Sequence, residues 1–368
     1  MDRFRYVSYA QEVIFARGAL AQMSEAADRF GWERLMLCTS HSMKSGGYSK
    51  RLQDILGTRL VAVYDRVQPH VQDIQVEEAL GLAQRHEVEA VMGLGGGSPI
   101  GMAKAVGFQS LLPIIAIPST YAGSEMTAVY GVTYSREKPP RKVTVSDPRI
   151  APSLVIYDTE LTLDLPPTLT ASSGINALSH CIEALYSKTR HPLSTAAAGK
   201  GVELIHNSLF DCFQNGSNLE ARTEMLTGAH LAGCSLASVA MGLHHGLCHV
   251  LGGTVGIPHG IANSIILPHA IRFNAQVTAS QLLPAAKAMG VALNGDLPVA
   301  IIESLAQTIS ELVGSMGLPQ RLRDAGVPLQ ESDLPHLAQM AFENRTVQNN
   351  PTPITAPAQI EALLRNAW

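Results

Sequence analysis

VEAVMGLGGGSPIGMAK, from Val88 to Lys104, predicts a short buried strand, a glycine-rich turn and the start of a helix. Glycines let the backbone adopt positive φ and approach a ligand, Ser98 suits the helix N-cap, and Pro99 suits the first helical position. A helix that begins there directs bare N–H groups and a positive dipole end at an anion such as a pyrophosphate. The spacing is neither G-x-G-x-x-G nor a P-loop, so a turn without a ligand is the alternative. The predicted anion contacts are Gly95, Gly96, Gly97 and Ser98.

Strands and helices alternate around this turn. After a β-like segment from Phe4 to Phe15, further strands are predicted at residues 35–38, 60–64, 88–92, 114–117 and 154–157. Alternation of this kind implies a parallel sheet covered on both faces, so we expect an α/β nucleotide-binding domain over residues 1–160.

No segment beyond Pro167 has the pattern of a strand, and helical periodicity dominates. The predicted helices cover 168–187, 192–208, 220–250, 260–274, 278–290 and 297–316, with a last helix capped by Thr355. Residues 161–368 are therefore expected to form an all-helical domain.

Composition limits the class of partner. The chain has 368 residues, of which 46% are hydrophobic and 16% charged, and a net charge of −4. No basic face is evident, which argues against nucleic acid or an anionic membrane and favours a small-molecule substrate. Five scattered cysteines, no signal peptide and no apolar run of about 18 residues indicate a soluble cytoplasmic protein.

Small polar residues follow the strand at 114–117, in the sequence PSTYAGSEMT. Glycines and hydroxyl side chains at the carboxyl end of a strand suit the cofactor cleft of an open α/β sheet. Thr120 and Ser124 are therefore candidate cofactor contacts.

GLHHGLCHVLGGTVGIPHGIANSIILPH, residues 242–269, contains five of the thirteen histidines. His245 and His249 share one helix face, with His244 beside them. Gly252 and Gly253 are expected to end that helix, and His259 to begin the next. A lone histidine is usually a hydrogen-bonded core residue, but crowded imidazoles lower one another's basicity unless they share a metal, a substrate or a proton path.

Asn176 and His180 share a face of an earlier helix at i and i+4, and with His245 and His259 they form a candidate four-residue site. Three imidazoles can hold a transition metal. A neutral amide is a poor fourth ligand, so the residue chemistry already argues against a metal.

Together, the GGGS turn, STYAGSEMT, N-x3-H and H-x3-H-x9-H resemble the iron-containing (group III) alcohol dehydrogenase family over nearly the whole chain. The resemblance implies the dehydroquinate synthase-like architecture, with an α/β nucleotide-binding domain, an all-α domain and a homodimer. The family's metal ligands are an Asp and three His, which match Asn176, His180, His245 and His259 here. His249 matches a further cleft histidine. The Asp is missing, so Fe or Zn is allowed by the family but disfavoured by Asn176.

Within that family, TYAGSEMT, SGINALSHCIEALY, MGLHHGLCH and NPxPI are most similar to the maleylacetate reductase branch, which also has Asn in place of the metal-binding Asp. That branch reduces the C=C bond of maleylacetate to give 3-oxoadipate in bacterial degradation of aromatic compounds. The resemblance implies NAD(P)H as cofactor and a catalytic set of His180, His245 and His249, with His245 and His249 as proton donors. The candidate substrate contacts are Tyr121, Asn176, His244 and Arg345.

The chain departs from that branch at three cationic positions, which hold Gly246, Ser146 and Thr352 here. A dicarboxylate needs cationic partners, and the remaining candidates are Arg141, Lys142 and Arg345. A metal-dependent alcohol dehydrogenase acting on an aldehyde or ketone is therefore an alternative.

The sequence argues against two other functional interpretations. A sugar-phosphate cyclising lyase of the dehydroquinate synthase type would need more Lys and Arg than residues 170–270 contain, and a non-catalytic binding module would not need so complete a cofactor turn. Thr39 and Ser40 stand where the family often has a ribose-binding Asp, so Ser40 is a candidate cofactor contact. Without that carboxylate a 2′-phosphate is not repelled, and we expect NADPH to be accepted as well as NADH.

Overall fold

The computed structural model describes residues 4–134, 141–293 and 297–368. The chain forms two compact units, one over Ser8–Leu165 and the other over Pro166–Trp368 together with the residues before Ser8. The first unit carries the glycine-rich turn, and the second carries the histidine-rich segment.

The N-terminal unit contains a six-stranded parallel sheet in the order β1-β8-β5-β4-β2-β3 and an antiparallel β6-β7 pair, which confirms the predicted parallel sheet. The strands are β1 (Glu12–Ala16), β2 (Leu35–Thr39), β3 (Leu60–Tyr64), β4 (Ala90–Gly95), β5 (Ile114–Pro118), β6 (Val129–Tyr134), β7 (Arg141–Ser146) and β8 (Leu154–Asp158). The helices are α1 (Met23–Phe30), α2 (His41–Ser45), α3 (Tyr48–Leu56), α4 (Asp73–Arg85) and α5 (Gly97–Ser110).

The sheet is buried on both faces, as its apolar strands require. Side chains alternate along β2, so Leu35 and Leu37 enter one core cluster while Met36 and Cys38 enter the other. The chain leaves β2 toward β3 on one side and β4 toward β5 on the other. The carboxyl ends of β2 and β4 therefore form a topological switch point, where open α/β sheets bind ligands.

The predicted N-terminal strand is shorter in the structure. Of the β-like segment from Phe4 to Phe15, only the part from Glu12 onward is a strand, and it pairs in parallel with β8. The residues before it have no regular secondary structure. An apolar alternating pattern alone does not make a strand where no neighbouring strand accepts its hydrogen bonds.

The C-terminal unit is helical throughout its described residues, as predicted. Its helices are α6 (Pro167–Tyr186), α7 (Pro192–Gln214), α8 (Leu219–Ser238), α9 (Leu243–Thr254), α10 (His259–Ala288), α11 (Pro298–Ser315), α12 (Leu334–Glu343), α13 (Arg345–Gln348) and α14 (Pro357–Asn366). No single helix among those described has both the length and the apolar character of a membrane span; the bent pair α8 and α9, at 97°, meets the test only when taken together.

Several predicted helix boundaries were wrong. The helix predicted over 220–250 is broken at residues 239–242, where Val239 is extended, and a new helix begins at Leu243. The two helices predicted over 260–274 and 278–290 are one, α10, with Pro268 and Pro284 inside it. Asn274 stays inside α10 because Nδ2 donates to the Ala270 carbonyl and to Asn350, so its polar group is satisfied.

The predicted caps also differ. α5 begins at Gly97, and its N-cap is Gly96 rather than the predicted Ser98. Ser98 lies in the first turn of the helix. Gly252 and Gly253 lie inside α9, which continues to Thr254. α14 is capped at Ala356 rather than Thr355, and the side-chain Oε1 of Gln359 accepts from the backbone N–H groups of both residues.

Candidate active site

The glycine-rich turn brings β4, α5 and the loop after β5 into close contact. A Cβ on Gly93 would lie 2.8 Å from the Ile100 Cα, and Gly95 has φ +138°, so glycine is required at both positions. A Cβ on Gly96 would lie 3.2 Å from the Thr120 Cγ2. The start of α5 and the side chain of Thr120 therefore lie close together, and their contacts with a cofactor stay predictions.

The end of β2 lies beside this turn. The Thr39 hydroxyl donates to the Leu94 carbonyl at 2.9 Å, and Ser40 follows as the half-buried N-cap of α2. Lys44 extends from α2 to Asp65, with Nζ 2.6 Å from Oδ2. The first polar side chains after β2 are therefore the Ser40 hydroxyl and the His41 imidazole, and the Lys44 ammonium is paired with the Asp65 carboxylate.

Lys104 was not predicted as functional, although a lysine on an otherwise apolar helix was a signal. Its side chain is completely buried on α5, and Nζ donates to the carbonyls of Ser124 (2.5 Å), Thr127 (2.7 Å) and Val129 (3.0 Å). Burial lowers the pKa of Lys104 to about 7, while the nearby Glu125 carboxylate raises it. Lys104 thus holds the loop that carries Thr120 and Ser124, and Ser124 faces Lys104 within that loop.

The histidines of the C-terminal unit come together as predicted. The ring centroid of His245 lies 4.7 Å from that of His180, 6.5 Å from that of His249 and 6.4 Å from that of His259. The rings of His249 and His259 stack at 5.6 Å. Asn176 is buried one turn before His180 on α6. Three helix segments therefore converge on one cluster of imidazoles.

Glu183 was missed, although N-x3-H-x2-E places it on the same face of α6 as Asn176 and His180. Its Oε1 accepts from the backbone N–H groups of Gly242 (3.1 Å) and His244 (3.2 Å). Its Oε2 accepts from the His245 backbone N–H at 3.3 Å and lies 2.5 Å from the His245 Nδ1. A buried carboxylate thus caps the first turn of α9, which explains why a helix begins there.

Burial keeps three of the imidazoles, those of His180, His244 and His245, in the neutral form. Burial lowers the pKa of His245 to about 3, with His249 adding to the effect, and lowers that of His180 well below its ordinary value. Burial likewise lowers the pKa of His244 to about 3. Burial raises the pKa of Glu183, but His244 and the three backbone N–H groups act against this and favour the carboxylate.

The positions of the donor atoms limit where this cluster can hold a metal. The tightest group among the described residues is Glu183, His244 and His245, whose ligand atoms lie within 4.8 Å of one another. Its carboxylate is already occupied by hydrogen bonds, so this trio is a buried network rather than an open site. The His245 Nε2 and the His180 Nδ1 are buried without a hydrogen-bond partner in the described structure. His180, His245 and His259 offer three imidazoles and Asn176 a weak fourth donor, and binding of a divalent cation by this set stays a prediction.

The predicted substrate contacts have different environments. Tyr121 and His244 are completely buried, and the His244 Nε2 lies 3.4 Å from the Asn263 carbonyl. Arg345 is exposed at the start of α13. Contacts of these residues with substrate stay predictions.

The structure explains the absence of one of the three cationic side chains, at Gly246. A Cβ there would lie 2.4 Å from the Val347 Cγ2 and 3.0 Å from its backbone nitrogen. This backbone leaves no room for lysine at position 246. Ser146 is exposed on β7, Thr352 is half-buried, and the side chains of Arg141 and Lys142 lie outside the described residues.

Comparison with known proteins identifies the family. The model of the C-terminal part of the Fe-containing alcohol dehydrogenase family matches residues 170–368, and the iron-containing alcohol dehydrogenase model matches residues 10–159. The chain belongs to the iron-containing alcohol dehydrogenase family. As a member of this family it is an oxidoreductase, and the resemblance carried by its glycine and histidine motifs is confirmed.

Other members of the iron-containing alcohol dehydrogenase family are similar over full length. Maleylacetate reductase from Pseudomonas knackmussii is 36% identical over 97% of this chain and 95% of its own. The crystal structure of maleylacetate reductase from Agrobacterium tumefaciens has a TM-score of 0.88 at 31% identity, covering 100% and 99% of the two chains. Sulfoacetaldehyde reductase from Bifidobacterium kashiwanohense, solved in complex with NAD+, has a TM-score of 0.89 at 25% identity, covering 99% and 98%.

Proposed function

We propose that this chain is an NAD(P)H-dependent maleylacetate reductase, which reduces maleylacetate to 3-oxoadipate in the degradation of aromatic compounds. The observation that carries the proposal is the buried, neutral pair of imidazoles His180 and His245 beside Asn176, which holds the place of the family's acidic metal ligand. The full-length similarity to maleylacetate reductases at up to 36% identity supports it.

The proposed chemistry is a conjugate reduction. Hydride passes from the dihydronicotinamide to the β-carbon of the enone, the C=C π pair becomes an enolate, and a proton completes the reaction. Hydrogen-bond donors stabilise the enolate, so no metal is required. His249 is exposed and can regain its proton from water, which suits the predicted role of proton donor. His245 is buried, and donation from its Nε2 would require a second proton on a ring of low pKa.

The cofactor is proposed to lie at the switch point formed by β2 and β4. Gly95, Gly96, Gly97 and Ser98 would contact its pyrophosphate, and Ser40, Thr120 and Ser124 its remaining polar groups. The NAD+ complex of the related sulfoacetaldehyde reductase supports a nicotinamide cofactor. Because β2 ends in hydroxyls and Lys44 lies nearby, we expect NADPH to be accepted as well as NADH; a preference for NADH above about a hundredfold in kcat/KM, or about 2.8 kcal/mol, would contradict this.

A metal-dependent alcohol dehydrogenase is the second candidate, favoured by the buried His245 Nε2 that has no partner among the described residues. When bound there, Fe²⁺ or Zn²⁺ would polarise a substrate carbonyl. His180, His245 and His259 are the residues that would hold it.

One assay separates the two functions. The purified protein is treated with a chelator and given maleylacetate with NADH or NADPH, and cofactor oxidation is followed at saturating substrate. Rapid turnover without metal supports the maleylacetate reductase. Turnover that requires Fe²⁺ or Zn²⁺ and an aldehyde or ketone would overturn it in favour of the alcohol dehydrogenase.

We further propose a cytoplasmic homodimer with a small-molecule substrate and no nucleic-acid or membrane partner. The five cysteines form no disulfide in the described structure, which suits a reducing compartment. β1 pairs only with β8 among the described strands, and Phe4, Tyr6 and Val7 before it are exposed, so this edge can pair with a second copy. Light scattering that gives the 39.3 kDa monomer mass would contradict the dimer.

A further inference from the structure

Glu183 has no role in the chemistry described above, yet its carboxylate joins the first turn of α9 to the ring of His245. The side chain of Glu183 is 0% exposed and that of His245 is 4% exposed. Three backbone N–H groups, from Gly242, His244 and His245, donate to the two carboxylate oxygens. Because these backbone groups all donate to Glu183, they favour its ionised carboxylate, which accepts hydrogen bonds and cannot donate them.

We propose that Glu183 is a positioning residue that holds His245 in the Nδ1–H tautomer and leaves a lone pair on Nε2. The Nδ1 to Oε2 distance of 2.5 Å places the imidazole proton between these two atoms. The His245 Nε2 is buried and makes no hydrogen bond within the described residues. The site therefore presents an acceptor nitrogen, which receives a proton or a cation.

The adjacent histidine is consistent with this proton arrangement. The His244 Nε2 lies 3.4 Å from the Asn263 carbonyl, so its proton belongs on Nε2. Its Nδ1 then carries a lone pair, 3.2 Å from the His245 Nδ1–H. One carboxylate and one carbonyl thus fix the two neighbouring rings in opposite tautomers.

A glutamine at position 183 would reverse the tautomer of His245. Its carbonyl oxygen can replace one carboxylate oxygen toward the N–H groups of Gly242 and His244. Its NH₂ group would then face the His245 Nδ1 and donate to it, so the imidazole proton would move to Nε2. Glu183→Gln therefore changes the protonated nitrogen at nearly constant side-chain volume.

The first test needs no substrate. The full-length protein is labelled with ¹⁵N-histidine, and the ring signals of His245 are assigned by their loss in His245→Gln. We expect a protonated Nδ1 and an unprotonated Nε2 in the parent, and the reverse in Glu183→Gln. A parent spectrum with the proton on Nε2 would overturn the proposal even if the variant failed to fold.

The second test is kinetic and rests on the proposed function. Glu183→Gln is expected to lower kcat by about 10–100-fold with little change in the KM for NADH, because the His245 Nε2 would then carry a proton and could no longer accept one from a neighbouring donor. Asn350→Ala is the matched control. Asn350 also stabilises this turn by accepting from the Leu243 N–H, and the described hydrogen bonds of its side chain join it to Leu243, Asn274 and Thr352 but to no imidazole.

The control should lower the melting temperature while kcat stays near the parent value. A purely structural role for Glu183 would make the two variants lose kcat in proportion to stability, and that result would refute the proposal. If maleylacetate is not turned over by the parent, the substrate assignment fails, whereas the tautomer measurement still decides the role of Glu183.

Discussion

Adding one methyl group at Gly246 should destabilise the C-terminal unit. In Gly246→Ala the new Cβ would lie 2.4 Å from the Val347 Cγ2, more than 1 Å inside the usual carbon–carbon contact of about 3.5 Å. Val347 lies on α13 and is completely buried against the core residues of α9 and α12. Its side chain therefore cannot move into solvent. Its backbone nitrogen, 3.0 Å from the Cβ, opposes a simple rotamer change.

The expected magnitude follows from two opposed effects. Overpacking a core costs about 1–3 kcal/mol, and replacing glycine by alanine inside a helix gains up to about 1 kcal/mol. Because both side chain and backbone obstruct the methyl group, we place the clash at the upper end of its range and the net loss at about 2 kcal/mol. For a unit of this size, that loss corresponds to a fall in Tm of about 4–8 °C.

Gly199→Ala is the matched control, because Gly199 lies inside α7 of the same unit and a Cβ there would meet nothing within 4 Å. Differential scanning calorimetry should show a small gain for Gly199→Ala and a loss for Gly246→Ala. Combining Gly246→Ala with Val347→Ala should lose less than the sum of the single changes, with a coupling energy of about 0.5–3 kcal/mol. Equal gains for the two glycine variants would refute the proposed packing of α13 on α9.

Three other changes test the remaining parts of the structure. Lys104→Met should destabilise the N-terminal unit by at least about 3 kcal/mol, because it leaves buried carbonyls without donors at about 1–3 kcal/mol each. The variant should also bind NADH more weakly in a fluorescence titration, and parent-like affinity would contradict the role of Lys104 in holding the loop. His245→Ala should lower kcat at least about 100-fold while NADH still binds, and near-normal turnover would exclude the proposed site. Burial lowers the pKa of His269 to about 4 from 6.5, so the unfolded state binds more protons between these values and stability falls as pH drops from 6.5 toward 4. His269→Gln should flatten the dependence of the unfolding free energy on pH by at most about 1.4 kcal/mol per pH unit, and an unchanged slope in denaturant titrations would disprove this contribution.

The sequence alone predicted the fold class and the histidines that lie close together in the C-terminal unit. Strand and helix periodicity, with the glycines at 93–97, predicted the parallel sheet and its turn, because these features depend on residues that are close in the chain. The i, i+4 spacing on two helices and the start of a third identified four histidines that the structure brings together.

Only the tertiary structure decided what surrounds those histidines. The break between α8 and α9 depends on Glu183, some 60 positions earlier in the chain, and no local propensity could reveal that cap. The burial of Lys104 and the contact of Gly246 with Val347 likewise join segments distant in sequence. Hydrogen-bond satisfaction and steric exclusion act between atoms in space, so spacing along the chain could identify the candidate side chains but not their tautomers or their neighbours.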